Sequence, residues 1–177
     1  MDGGFQDGTG HVAFSPSGNR VYMSVSADEG SKGAVHAYHA QTGAYLEPLL
    51  PPSEFPDAVP EAFSPGVLLV LPDRDLLLVS DAGASPQTLL LAQATSPEST
   101  ATLWTAPEGC AILDASVRPA TLSTERLDAL VLTSCKDDSS SDSSVNHVDF
   151  VPDLLSPDPR APSPPLALLT TQLPRSV

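Results

Sequence analysis

Four histidines, two cysteines and a scatter of aspartates are the side chains in this sequence that could carry chemistry. His11 opens the apolar stretch His11-Val12-Ala13-Phe14. An imidazole there would serve as a ligand group or a general base, because it changes charge near neutral pH. Its structural alternative is a partly exposed histidine at the start of a strand, which is favoured because the later apolar stretches have no histidine in the equivalent place. Asp81 closes Leu76-Leu77-Leu78-Val79-Ser80-Asp81 and is either a metal ligand or a turn acceptor. Turn acceptor is favoured, since a hard cation needs several converging oxygens and only one can be named. His36 and His39 stand three apart in an apolar run, so the two-residue period of a strand sends them to opposite faces and they cannot chelate one metal together. Cys110 and Cys135 are too few for a disulfide framework and lack metal spacing, and they read as two unbridged thiols acting as small hydrophobes. The Asp and Ser run from Lys136 to Ser144 could bind calcium or accept phosphate, but it lacks the spacing and glycine of an EF-hand loop and reads as a solvated loop. No Gly-x-Ser-x-Gly, Gly-x-Gly-x-x-Gly, Walker or His-Glu-x-x-His motif is present, so the sequence expectation leans away from an enzyme.

The composition sets outer bounds. At 177 residues and 41% hydrophobic, the chain can fill one sizeable core. Its 22 acidic and 8 basic residues give a net charge of -14, which repels phosphate backbones and anionic membrane surfaces. Neither nucleic acid nor a membrane is an expected partner. No apolar run approaches the ~18 residues of a membrane span, and Met1-Asp2-Gly3-Gly4 has no signal-peptide pattern. The 19 prolines and 11 glycines suit short strands and turns, so the expected class is all-β.

The elements that must position these residues recur along the chain. Residues 1–9 are a flexible lead-in. Gly66 to Gly83 reads as strand, Pro72-Asp73-Arg74-Asp75 turn and strand; Gly10 to Ser24 reads the same way around Pro16-Ser17-Gly18-Asn19. Aligned without a gap, Gly10 falls on Gly66, Pro16 on Pro72 and Ser24 on Ser80, one offset of 56. Val35 to Tyr38, a Gln41-Thr42-Gly43 turn and Ala44-Tyr45-Leu46 complete a first unit of about 10–46. Pro48 to Pro65 reads as a long surface connection. Thr88 to Ala94 and Thr102-Leu103-Trp104 complete a second unit of about 66–104. A looser third unit of about 109–150 takes strands near Cys110, Leu130 and Phe150 around an insertion containing Arg118-Pro119. Repeats of about 40–50 residues with four strands each are a signature of propeller blades. The expectation is therefore a partial β-propeller over 10–151, about three four-stranded antiparallel blades in an open or partial ring. Residues 152–177 form a Pro-rich, mostly disordered tail in which Leu166 to Leu169 could add an edge strand.

Val12 to Ser24 with Val35 to Tyr38 and Gln41 to Gly43 resembles the YVTN-type repeat, and Gly66 to Gly83 resembles the allied NHL repeat. Trp104 is followed by Thr105, so the Trp-Asp pair of WD40 blades is missing. The resemblance implies a ring of six or seven blades, of which this chain would supply about three. It also implies that His11 lies near a central channel, and that Asp81 occupies a position often acidic in NHL-like and gluconolactonase-like propellers. An open arc leaves strand edges and blade faces uncovered, which fits a fragment of a longer protein, self-association through open blade edges, or a curved stack of limited stability. The first functional expectation is a non-catalytic module binding a protein or small-molecule ligand without a cofactor. The alternatives are a lactonase or gluconolactonase-like hydrolase using a divalent cation such as Ca²⁺ or a His/Glu set, with His11 and Asp81 as its candidates, and an inactive truncated paralogue.

Overall fold

Short apolar runs separated by turn residues become eleven strands in the computed structural model, which describes residues 10–27, 32–51, 59–71, 76–93, 96–119, 127–136 and 144–151. The lead-in 1–9, the Pro72 to Asp75 turn, most of the Lys136 to Ser144 run and the tail with Leu166 to Leu169 lie outside the described residues. The strands are β1 (Val12–Phe14), β2 (Arg20–Val25), β3 (Ala34–His39), β4 (Tyr45–Leu50), β5 (Pro65–Val70), β6 (Leu76–Asp81), β7 (Thr88–Gln93), β8 (Ser96–Thr105), β9 (Cys110–Pro119), β10 (Leu127–Lys136) and β11 (Ser144–Val151). They form three antiparallel sheets, none closed, in the orders β1-β2-β3-β4, β5-β6-β7-β8 and β9-β10-β11. The architecture is all-β. The third sheet has three strands among the described residues, where the sequence suggested four.

Turn chemistry places the strands of the first sheet. Between β1 and β2 the Gly18 amide donates to the Ser15 carbonyl at 2.9 Å, and the Ser15 hydroxyl accepts from the Arg20 amide at 3.1 Å. Gly18 has φ of 69°, a left-handed conformation that glycine adopts without a Cβ penalty. Gly43, with φ of 67°, plays the same part between β3 and β4, where its amide donates to the His39 carbonyl.

Two cores hold the sheets together. In the first, Tyr22, Val35, Ala37 and Leu50 of sheet 1 pack on Leu68, Leu77, Val79 and Leu90 of sheet 2. In the second, Val67, Leu78 and Leu89 on the opposite face of sheet 2 pack on Ile112, Ala115, Ala129 and Val131 of sheet 3. Sheet 2 is therefore buried on both faces, which is why β6 and β7 read as near-continuous apolar runs. Between sheets the backbones come closest where β1 and β2 meet β5 and where β5 meets β9, so the sheets draw together along their first strands.

Several boundaries differ from the sequence expectation, each for a packing reason. β4 extends through Pro48 to Leu50, since an edge strand tolerates a residue without an amide hydrogen. The segment expected to run over the surface instead sends Leu49, Leu50, Val59 and Phe63 into the first core. β8 starts at Ser96, and Arg118-Pro119, expected in an insertion, ends β9.

The two cysteines are joined, correcting the expectation of unbridged thiols. Cys110 and Cys135 are direct partners in the β9–β10 register, with Cα atoms 4.0 Å apart. Sequence spacing carries no sign of this, because the pairing follows from how a hairpin closes over a separation of 25 residues. Thiol titration in denaturant should find two reactive thiols only after reduction. A loop of this size predicts a loss of about 3 kcal/mol of stability on reduction or in Cys135→Ser, read as a lower urea midpoint.

Candidate functional site

The seam between sheets 1 and 2 gathers the polar residues singled out from the sequence. Ser24, fully buried near the end of β2, accepts a hydrogen bond at its hydroxyl from the His11 amide at 2.8 Å and donates to the Gly66 carbonyl of sheet 2 at 3.2 Å. Ser80, equally buried but on the face of β6 that Leu78 turns toward sheet 3, accepts from the Val67 amide at 2.8 Å. His11 and Val67, like Ser24 and Ser80, are separated by the same offset of 56 that relates the two sequence units. One clip thus recurs in both sheets, a serine on the second strand holding the backbone at the entry of the first. Gly66 is required beside it, since a Cβ there would come within 2.8 Å of the Ser80 hydroxyl oxygen.

Asp81, 1% exposed, works on the other side of this seam. Its Oδ1 accepts from the Ser64 and Gly83 amides, each at 3.0 Å, and so ties the chain entering sheet 2 to the chain leaving β6. The backbone crossing is close: a Cβ on Gly83 would collide with the Ala62 carbonyl. Asp81 Oδ2 is buried with no hydrogen-bond partner among the described residues. Asp81 is thus a backbone acceptor at a strand end. His11 is half-buried and bonds through its backbone; neither imidazole nitrogen has a partner among the described residues, and no hydrogen bond joins it to Asp81. Both candidates lie along the same seam without forming a shared site. Among the described residues no three His, Cys, Asp or Glu side chains converge as a metal-holding group.

His36 and His39 fall on opposite faces of β3, in keeping with their spacing. His39 Nδ1 is buried and without a partner among the described residues. His36 belongs to an outward cluster, with its ring edge-on to Tyr45 at 5.6 Å between centroids and Tyr45 edge-on to Tyr38 at 5.5 Å. The strand register puts Val12, Phe14, Val21 and Met23 on this same outer face, and Phe14 is 63% exposed. Sequence reasoning passed over the face, although Val12-x-Phe14, Val21-x-Met23-x-Val25 and His36-x-Tyr38 all mark it. It also passed over Gln87, whose carboxamide oxygen accepts from the Ile112 amide at 2.7 Å and joins sheet 2 to sheet 3.

No protein-family model matches the chain, and no curated protein shows significant sequence similarity to it.

Removing the Asp81 carboxylate strands two backbone amides in the seam. Asp81→Ala should therefore cost about 2–4 kcal/mol in urea unfolding, and Asp81→Asn, which keeps an acceptor oxygen, clearly less. A second expectation concerns pH. Burial holds the His36 imidazole below the ordinary value of 6.5, so the unfolded chain takes up this proton more readily than the fold. The contribution is complete above pH 6.5 and is lost as pH falls below it, so the urea midpoint should drop less in His36→Gln than in the native chain across that range.

Proposed function

We propose that the chain is a non-catalytic interaction module of propeller type, an open arc of three blades that presents a sheet face to a protein partner. The observation that carries this reading is how the seam's polar groups are engaged. Ser24 and the Asp81 Oδ1 between sheets 1 and 2, and Ser80 on the side of sheet 3, all bind backbone, and Asp81 is the position that the likeness to NHL-type blades marks as often acidic. Three further features support the blade reading: meander sheets, closest approach along the first strands, and a serine clip repeated at the sequence offset. The likeness to YVTN and NHL repeats belongs to the same proposal. A protein partner fits the outer face of sheet 1, whose exposed Val12, Phe14 and Tyr45 gain from leaving water. The net charge of -14 argues against nucleic acid and anionic membranes as partners.

A second reading, a gluconolactonase-like hydrolase using Ca²⁺, is favoured by one observation, the buried and unpartnered Asp81 Oδ2. A ligand that binds only the folded chain raises its melting temperature by mass action, so melting in millimolar Ca²⁺ and in EDTA separates the two. The module reading expects coincident transitions and no hydrolysis of a simple aldonolactone. A rise of several degrees in Ca²⁺ that disappears in Asp81→Asn, together with lactone hydrolysis, would establish the hydrolase instead.

A further inference from the structure

We infer that the partner is a second copy of this chain: two arcs pair so that the outer face of sheet 1 of each covers the outer face of sheet 3 of the other, closing a ring of six sheets. The inference rests on the blade reading above and names its partner.

The distribution of exposed apolar side chains points to it. Large exposed hydrophobics among the described residues are Val12, Phe14, Val25, Tyr45 and Leu46 in sheet 1 and Leu113 and Leu130 in sheet 3. None is in sheet 2. Both ends of the stack are therefore apolar where they face away from it. On sheet 3 the register adds Leu132, Val148 and Phe150 to the face of Leu130. The charges agree. The described outer-face positions of sheet 1 hold no carboxylate, although the chain carries 22 acidic residues. On sheet 3 the outer side carries the exposed Asp114 and the buried Asp128 together with Arg118 and Lys136, and Arg118 lies 4.0 Å from Asp128 and over the Phe150 ring. Two faces without net charge, in a chain at -14, are the surfaces on which two copies can meet without direct like-charge contact.

Topology selects the arrangement. A junction of face 1 on face 3 is heterologous, and such contacts form a closed ring when the rotation closes. With three sheets among the described residues of each chain, two copies cover the four described end faces at once, and six sheets lie within the four to eight blades of known propellers.

Sedimentation equilibrium of the full chain at micromolar concentration should give twice 18.4 kDa. Phe14→Asp and Leu130→Asp, both at exposed positions, should each be monomeric with native circular dichroism; Val12→Asp repeats the first test should Phe14→Asp melt early. Each single substitution damages both junctions of its own pair. An equimolar mixture of Phe14→Asp and Leu130→Asp keeps one junction with two native faces, so mixed pairs should form, at least tenfold weaker than native. A native monomer, a native trimer or larger species, a dimer surviving both substitutions, or a mixture that stays monomeric at hundreds of micromolar would each overturn the pairing. A native monomer with a sharp β-type melting transition overturns the pairing alone. A Ca²⁺-dependent melting shift lost in Asp81→Asn overturns the module reading whatever the mass.

Discussion

Sheet 2 has no polar face to offer water, and the arrangement of the other two sheets follows from that. Leu68, Leu77, Val79 and Leu90 line one side and Val67, Leu78 and Leu89 the other, nearly all without solvent contact. Burying each such side chain is worth about 1.5–3 kcal/mol, so uncovering either face would cost on the order of 5–10 kcal/mol. That is comparable to the whole net stability of a typical domain. Sheets 1 and 3 are thus conditions for sheet 2 to exist, and the polar clips at the seams set how closely they approach. Ser24 reaches across to the Gly66 carbonyl and Gln87 reaches across to the Ile112 amide, each satisfying backbone groups that the apolar contact would otherwise strand.

Much of this was legible in the sequence where local chemistry decides it. The Pro16 to Asn19 turn, the Gln41 to Gly43 turn and the strands around Val21, Val35, Leu77 and Leu89 follow from turn residues and β-preferring runs, and the offset of 56 resurfaces as a repeated hydrogen bond. What stayed hidden depends on tertiary contact. Pro48 argued for a loop, yet an edge strand accepts it, and Leu49 and Leu50 behind it are core. Val59 and Phe63 sit among prolines and polar residues with no period to mark them, and only the gap between sheets 1 and 2 gives them a place. Cys110 and Cys135 meet through the closing register of a hairpin whose length the sequence does not announce.

The candidate site divides the same way. Asp81 as a turn acceptor was readable from its place at the end of an apolar run, but its two amide donors come from Ser64 and Gly83, on segments that only folding brings together. His11 was readable as a strand-start residue, and its backbone, rather than its imidazole, joins the seam. The outer face of sheet 1 was present as plain alternation. Alternation alone marks two faces on a strand without saying which of them a neighbouring sheet will cover.

A sheet with one wet side turns its polar residues outward, and sheet 1 departs from that pattern. In β2 the outward residues are Val21, Met23 and Val25, while the inward ones include Arg20 and Ser24, so the outer side of the strand is the more apolar of the two. An antiparallel sheet that ordinarily faced water would carry polar residues outward. Sheet 1 instead carries apolar residues on its outer face as well as in the core it shares with sheet 2, and among the described residues a sheet covers only its inner side. Sheet 3 repeats the pattern more weakly through Leu130, Leu132, Val148 and Phe150. The composition of the end sheets is that of interior sheets, so the stack is chemically continuous at both ends even though the chain supplies no further described sheet to cover them.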